Sequence, residues 1–215
     1  MLELAFSEQS LEVQRGVVME EFKQRCLNQP YGDVGHLIRP LAYEVHPYRW
    51  PTIGKDLSHI EQATLEEVKS FFYRFYAPNN AVLAVTGNIS WEEAVRLTEK
   101  WFGPIPRRNV PVRQLPQEPV QTQERRQVVK RPVPLDALFM AFHMCSREHS
   151  DYYAFDILSD ILSNGRSSRL NRRLVQEQKL FSGIDAYISG TRDAGLLHIS
   201  GKPSAGVSLE QAEAA

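Results

Sequence analysis

Apolar positions along this chain switch between a helical period and short continuous runs, and that alternation divides it into elements. From Ser10 to Leu27, residues Leu11, Val13, Val17, Val18 and Phe22 fall near helical spacing behind Ser10, a side chain suited to an N-cap. The spacing predicts a charged helix with an apolar seam, broken at Asn28-Gln29-Pro30-Tyr31-Gly32. Asp33 to Tyr43 is a second helical stretch, with Val34, Leu37, Ile38 and Leu41 on one face and Pro40 expected to kink or end it. Two prolines and Gly54 make His46 to Gly54 an extended loop. Thr64 with Glu67 three residues on is a capping box, opening a helix to Tyr76 whose face carries Val68, Phe71, Phe72 and Phe75. Ala81 to Gly87 is continuously apolar and rich in valine, the pattern of a strand buried on both faces. Ser90, again with a glutamate three residues on, caps a helix to Phe102.

The composition then shifts. Prolines at 104, 106, 111, 116 and 119 make Gly103 to Arg126 an extended connection, read as an interdomain linker. Strands are predicted at 127–130 and 137–142, followed by a helix from Ser150 to Leu162 with Tyr153, Ile157, Leu158 and Ile161 turned inward. Asn164-Gly165 closes that helix, and Ser167 to Gln178 forms the next. Strands at 182–190 and 195–202 follow, and Ser208 with Gln211 starts a last helix. Both halves run through helices, apolar strands and a capped helix. The expected fold class is therefore α+β, a duplicated unit in two related domains truncated at both ends. The boundaries are 1–105 for the first domain, 106–126 for the linker and 127–215 for the second. A helix under way by about the tenth residue, and another cut after about two turns, motivate the truncation: so short a helix is marginal in water.

Composition narrows the function classes. With 215 residues, 42% hydrophobic, 24% charged and a formal net charge of -1, the chain is an ordinary globular sequence. It has no basic excess to draw nucleic acid or an anionic membrane. No apolar run approaches the roughly 18 residues of a membrane span, and the first residues lack the basic start and apolar core of a secretory signal. Cys26 and Cys145 lack any zinc-binding spacing and are read as inert thiols, and Trp50, Trp91 and Trp101 as packing anchors.

The candidate chemistry lies on the first helix, where Glu20 and Glu21 are adjacent carboxylates. Arg15-Gly16-Val17-Val18-Met19-Glu20-Glu21 is followed by His46-Pro47-Tyr48 with Ile53-Gly54. Further on come Tyr76-Ala77-Pro78-Asn79-Asn80 running into Ala81 to Ile89, then Trp101-Phe102-Gly103-Pro104-Ile105-Pro106 and Ser167-Ser168-Arg169-Leu170. In this order and spacing the chain resembles the insulinase/pitrilysin family of zinc metallopeptidases, the inverzincins, over nearly its whole length. The resemblance implies two related domains, each an antiparallel sheet with packed helices, and a catalytic H-x-x-E-H helix, whose histidines and a distal glutamate hold zinc while its own glutamate serves as general base.

None of His36, His46, His59, His143, His149 and His198 begins H-x-x-E-H, and His143 stands two residues too far from Glu148-His149. What the resemblance leaves here is the distal ligand. The family carries a glutamate seven residues before it. Counting back from Glu21 reaches Gln14, next to Arg15, whereas Glu20 leads to Val13. Glu21 is thus the metal-ligand candidate and Gln14 the second-shell candidate, with an amide where the family has a carboxylate. The arginine and tyrosine that complete the family's substrate site fall here on Val175 and Ser182. The resemblance therefore implies the zinc-bearing part of an endopeptidase that hydrolyses peptides in a chamber between two units. A second unit, on the same or a separate chain, supplies the arginine–tyrosine pair. The general base lies upstream, so this polypeptide alone is expected to be inactive and to hold zinc (Zn) weakly or not at all. The alternative is a non-catalytic homologue serving as an interaction or scaffold subunit. The compartment stays open, cytoplasmic or periplasmic if the source is bacterial.

Overall fold

The computed structural model describes Leu4 and residues 6–215. In chain order its elements are α1 (Glu8–Phe22), α2 (Val34–Ala42), α3 (Leu57–Glu61), α4 (Leu65–Phe75), α5 (Trp91–Phe102), β1 (Leu138–His143), α6 (Tyr152–Ser163), β2 (Phe181–Ser189), β3 (Leu196–Pro203) and α7 (Leu209–Glu213). π-helical turns span Lys23–Leu27 and Asn171–Glu177. The fold is α+β. No helix among the described residues is long and apolar enough to cross a membrane. The chain divides into two compact units that are not contiguous in sequence: Met1–Lys23 with Asp56–Leu115, and Gln24–Lys55 with Pro116–Ala215.

The first unit holds α1, α3, α4 and α5. Helix α1 starts earlier than its apolar spacing suggests, because Ser7 is the cap and Ser10 sits at the third helical position, closing a capping box. Its covered stripe is Leu11, Arg15, Met19 and Phe22, while Val13, Val17 and Val18 are exposed. The Arg15 guanidinium donates to the Ala63 carbonyl at 2.7 Å, which fills a place in the stripe that an apolar residue would otherwise take. Helix α4 has the reciprocal Thr64–Glu67 box. It buries Phe72, with Phe6 edge-on at a centroid distance of 5.3 Å. Its C-terminal end is closed from a distance: the Arg108 guanidinium donates to the Tyr73 and Tyr76 carbonyls at 3.3 and 3.2 Å. Asn79 and Arg108 also exchange two hydrogen bonds of 3.0 Å. Residues 81–86, predicted as a strand, have no ladder partner among the described residues. Trp91 and Trp101, expected as packing anchors, are exposed.

The second unit is built on one antiparallel sheet of order β1-β3-β2. Register pairs Leu138 with Gly201 through His143 with Leu196 on one side of β3, and Ile184 with Gly201 through Ser189 with Leu196 on the other. Residues 127–130, predicted as a strand, enter no ladder among the described residues. One core cluster joins Leu174, Phe181, Ile184 and Ala212; another joins Ala42, Tyr43 and Leu196. Helix α2 ends at Ala42, two residues past Pro40, so the proline sits in the last turn. Helix α6 faces the other way from the sequence reading. Tyr153, Ile157, Leu158 and Ile161 are exposed, and the covered stripe is Tyr152, Phe155, Ser159 and Leu162. Apolar residues occupy more than one side of this helix, so periodicity alone does not choose between them. The sheet takes the side with small hydroxyls, and Ser163 donates to the Ala186 carbonyl of β2 at 2.8 Å. The predicted helix at 167–178 is largely the π-helical turn.

Candidate functional site

Glu21 lies in the last turn of α1, one residue before buried Phe22 and two before the helix widens into the π-helical turn Lys23–Leu27. Such widenings occur frequently at functional sites. Seven residues is close to two full turns, so Gln14 and Glu21 share one helix face about 10.5 Å apart along the axis. Val17 and Val18 lie between them on that face, and all four residues are exposed. Glu20 is exposed beside this stripe. The sequence-predicted pair is thus displayed on one surface, with two valines between a carboxylate and an amide.

A tetrahedral zinc site needs three protein donors beside its open position. Among the described residues no three His, Cys, Asp or Glu side chains come together. Glu21 supplies one carboxylate, so the donors among the described residues do not fit a three-donor zinc site. The stretch from His143 to His149 does not assemble one either. His143 bonds through Nε2 to the Ala42 carbonyl at 2.6 Å, and His149 pairs with Asp151. Of the two positions where the resemblance would place an arginine and a tyrosine, Val175 is half-buried against the core of the second unit. Ser182 donates to the Lys202 carbonyl at 3.1 Å.

Sequence reasoning missed a polar cluster in the second unit. The Glu118 carboxylate accepts three consecutive backbone N–H groups, from Glu44 at 2.6 Å, Val45 at 3.0 Å and His46 at 2.9 Å. Burial works against the charge of Glu118, but these three donors outweigh it and hold the carboxyl below its ordinary range. Buried His46 accepts from the Tyr48 N–H through Nδ1 and turns Nε2 toward Asp193 at 3.4 Å. Its ring packs on Tyr48 at 4.2 Å. Tyr43, also buried, donates to the Ala194 carbonyl at 2.9 Å, and burial pushes its phenol up to about 12. The His46-Pro47-Tyr48 motif marks this place in the sequence. Nothing in the pattern singles out Glu118, because the proline-rich stretch reads as solvated. Nearby His198 is stacked on Tyr187 at 4.8 Å and bonded to the Ser189 hydroxyl at 3.0 Å; burial, then Arg39, lowers its pKa. These contacts bind loops to the sheet and bring no nucleophile–base–acid set together.

Comparison with known proteins places the chain. Residues 62–215 match the family model described as the peptidase M16 inactive domain. The match begins after α1, so Glu21 lies outside it. The zinc protease PqqE of Helicobacter pylori is 33% identical over 174 residues, covering 79% of this chain and 38% of that protein. The uncharacterized zinc protease YmxG of Bacillus subtilis is 24% identical over 196 residues, covering 91% of this chain and 46% of its own length. A Helicobacter pylori protease structure superposes with a TM-score of 0.88 at 28% identity, over 100% of this chain and 52% of that one. A peptidase M16 inactive domain from Pseudomonas fluorescens shares the fold, with a TM-score of 0.76 at 22% identity over 94% of this chain and 48% of that one. The chain spans less than half the length of these curated relatives. With the family model covering most of its residues, the chain belongs to the M16 peptidases, the insulinase/pitrilysin family.

Proposed function

We propose that these residues are the distal-glutamate part of a zinc endopeptidase, and that Glu21 is a zinc ligand whose partner donors lie outside this chain. The observation that carries this reading is the exposed stripe of α1, where Glu21 and Gln14 stand two turns apart in the Arg15 to Glu21 motif. The zinc-protease names of its curated relatives support the same reading. The domain division at 105 and 127 is part of this proposal. So is a second family unit that contributes the arginine and tyrosine replaced here by Val175 and Ser182. Peptides cleaved in a chamber between two such units are the proposed substrates. A scaffold role is the second reading, favoured by Gln14, an amide that brings no negative charge toward a metal.

The test is zinc content in a polypeptide that extends this chain to the length of its curated relatives. That protein should hold one zinc, and Glu21→Gln should weaken the metal by more than the about 100-fold typical of an outer-sphere change. Its circular dichroism should stay unaltered. A Glu21→Gln protein that keeps zinc and peptidase activity refutes the ligand assignment. An unsubstituted protein without zinc leaves the scaffold reading.

A further inference from the structure

The turn and helix that follow α6 concentrate positive charge. Residues 164–179 hold Arg166, Arg169, Arg172, Arg173 and Lys179 against Glu177, a net +4 in a chain whose formal total is -1. All four arginines are exposed. Arg172 pairs with Glu177 at 3.5 Å, and no carboxylate pairs with Arg166, Arg169 or Arg173 among the described residues. The other basic run of the second unit differs: Arg125, Arg126 and Arg131 are matched by Glu44, Glu213 and Asp33. Like charges one turn apart repel, and here that repulsion is left standing.

The frame beneath these arginines is fixed. Leu170, Leu174 and Val175 pack into the core with Phe181 and Ile184. The Gln176 amide donates to the Arg166 carbonyl at 2.7 Å and to Asn171 Oδ1 at 2.8 Å, tying the turn back onto the helix. Buried Ser168 donates its hydroxyl to the Gly165 carbonyl at 2.7 Å. A partner therefore meets charges whose backbone is already ordered, which lowers the entropy lost on binding.

We infer that this arginine cluster is a docking surface for an acidic polypeptide segment in extended form. Arg169 and Arg173 stand about 5–6 Å apart along the helix axis, and alternate side chains of an extended peptide are about 6.6 Å apart. Guanidinium groups pair with carboxylates through two parallel hydrogen bonds, the mode by which arginine clusters read acidic motifs. Other partners fit less well. No large apolar side chain is exposed between 164 and 180 to enter a bilayer. Nucleic acid selects basic chains, and the formal charge here is -1. A second copy offers no acidic run longer than two residues. Docking here requires neither Glu21 nor zinc.

Fluorescence anisotropy on the 215-residue chain tests this. The probe is a labelled, end-blocked peptide with four consecutive glutamates, and its control carries glutamine at the same places. At low salt the glutamate peptide should bind at least about 10-fold more tightly than the control. Arg169→Gln with Arg173→Gln should weaken it about 10-fold with unaltered circular dichroism. Arg107→Gln with Lys130→Gln, an equal loss of charge at other exposed positions, should change it by under about 2-fold. Equal weakening by both pairs, or no weakening by the first, overturns the inference. Tighter binding of an oligothymidylate, or of vesicles containing phosphatidylserine, overturns it in favour of a nucleic acid or a membrane. A concentration-dependent dimer that Arg169→Gln with Arg173→Gln abolishes overturns it in favour of a second copy.

Discussion

Replacing Glu118 by alanine tests how the second unit is held together. Its carboxylate satisfies the Glu44, Val45 and His46 N–H groups, at distances between 2.6 and 3.0 Å. Hydrogen bonds to a charged group contribute about 1.5–3 kcal/mol each, and a buried donor left without a partner costs about 1–3 kcal/mol. Glu44 and Val45 are exposed, so water replaces much of what they lose; His46 is buried and its donor is stranded. The expected cost is therefore about 2–4 kcal/mol rather than three full charged bonds. For a unit of this size that lowers Tm by roughly 6–16 °C. Glu118→Gln keeps one acceptor but turns an amide N–H toward a backbone donor, so it should fall between alanine and the parent. Glu124→Ala, removing an exposed carboxylate of the same stretch, should change stability by under about 0.5 kcal/mol. The assay is urea and thermal unfolding followed by near-ultraviolet circular dichroism.

The pH dependence has a fixed sign. The folded pKa is depressed, so the contribution of Glu118 is present above the unfolded carboxyl value, about 4.3, and lost as pH falls through the folded one. A Glu118→Ala protein with an unchanged Tm at pH 7 refutes the reasoning.

Three further outcomes are expected. His198 has a depressed pKa, so the unfolded chain takes up its proton first. Stability is complete above the unfolded value of about 6.5 and falls as pH drops below it, a loss that His198→Gln should remove from unfolding curves between pH 7 and 5. Gly201→Ala should destabilise by about 1–3 kcal/mol in urea, because its new Cβ meets the buried Phe181 ring at 2.6 Å with Ile184 behind it at 3.3 Å. Arg108→Ala should cost about 1–2 kcal/mol and speed exchange at the C-terminal end of α4, because its guanidinium closes two carbonyls there.

Local chemistry was legible where the signal is local. The Thr64–Glu67 and Ser208–Gln211 boxes form as the sequence implies, and Asn164-Gly165 ends α6 with Gly165 at φ +84. β2 and β3 lie within a residue of their predicted limits, because a short polar turn separates two apolar runs. Tertiary choices were less visible. The buried face of α6 depends on which stripe the sheet can accept, and Arg15 occupies the covered stripe of α1 with its guanidinium paired to Glu12 and donating to the Ala63 carbonyl. Glu118 was invisible because its three donors lie more than seventy residues away. For the candidate site, residue spacing placed Gln14 and Glu21 on one face of α1. It could not supply further metal donors, and none join Glu21 among the described residues.

The sheet order also dictates a sequence of events in time. β3 is the middle strand, yet it is the last of the three to be synthesised. β2 and β3 are joined by a short turn and can zip as a local hairpin, within about 1–10 μs by the usual timescale. β1 must wait for β3, a loop closure across more than fifty residues. Until then Leu138-Phe139-Met140-Ala141-Phe142 is an apolar strand with both edges bare, the kind of segment that associates between chains. Folding of the second unit should therefore be two-phased, with hairpin closure fast and β1 docking slow. A chain ending before Leu196 should form no sheet in this unit, because both outer strands depend on the one that arrives last.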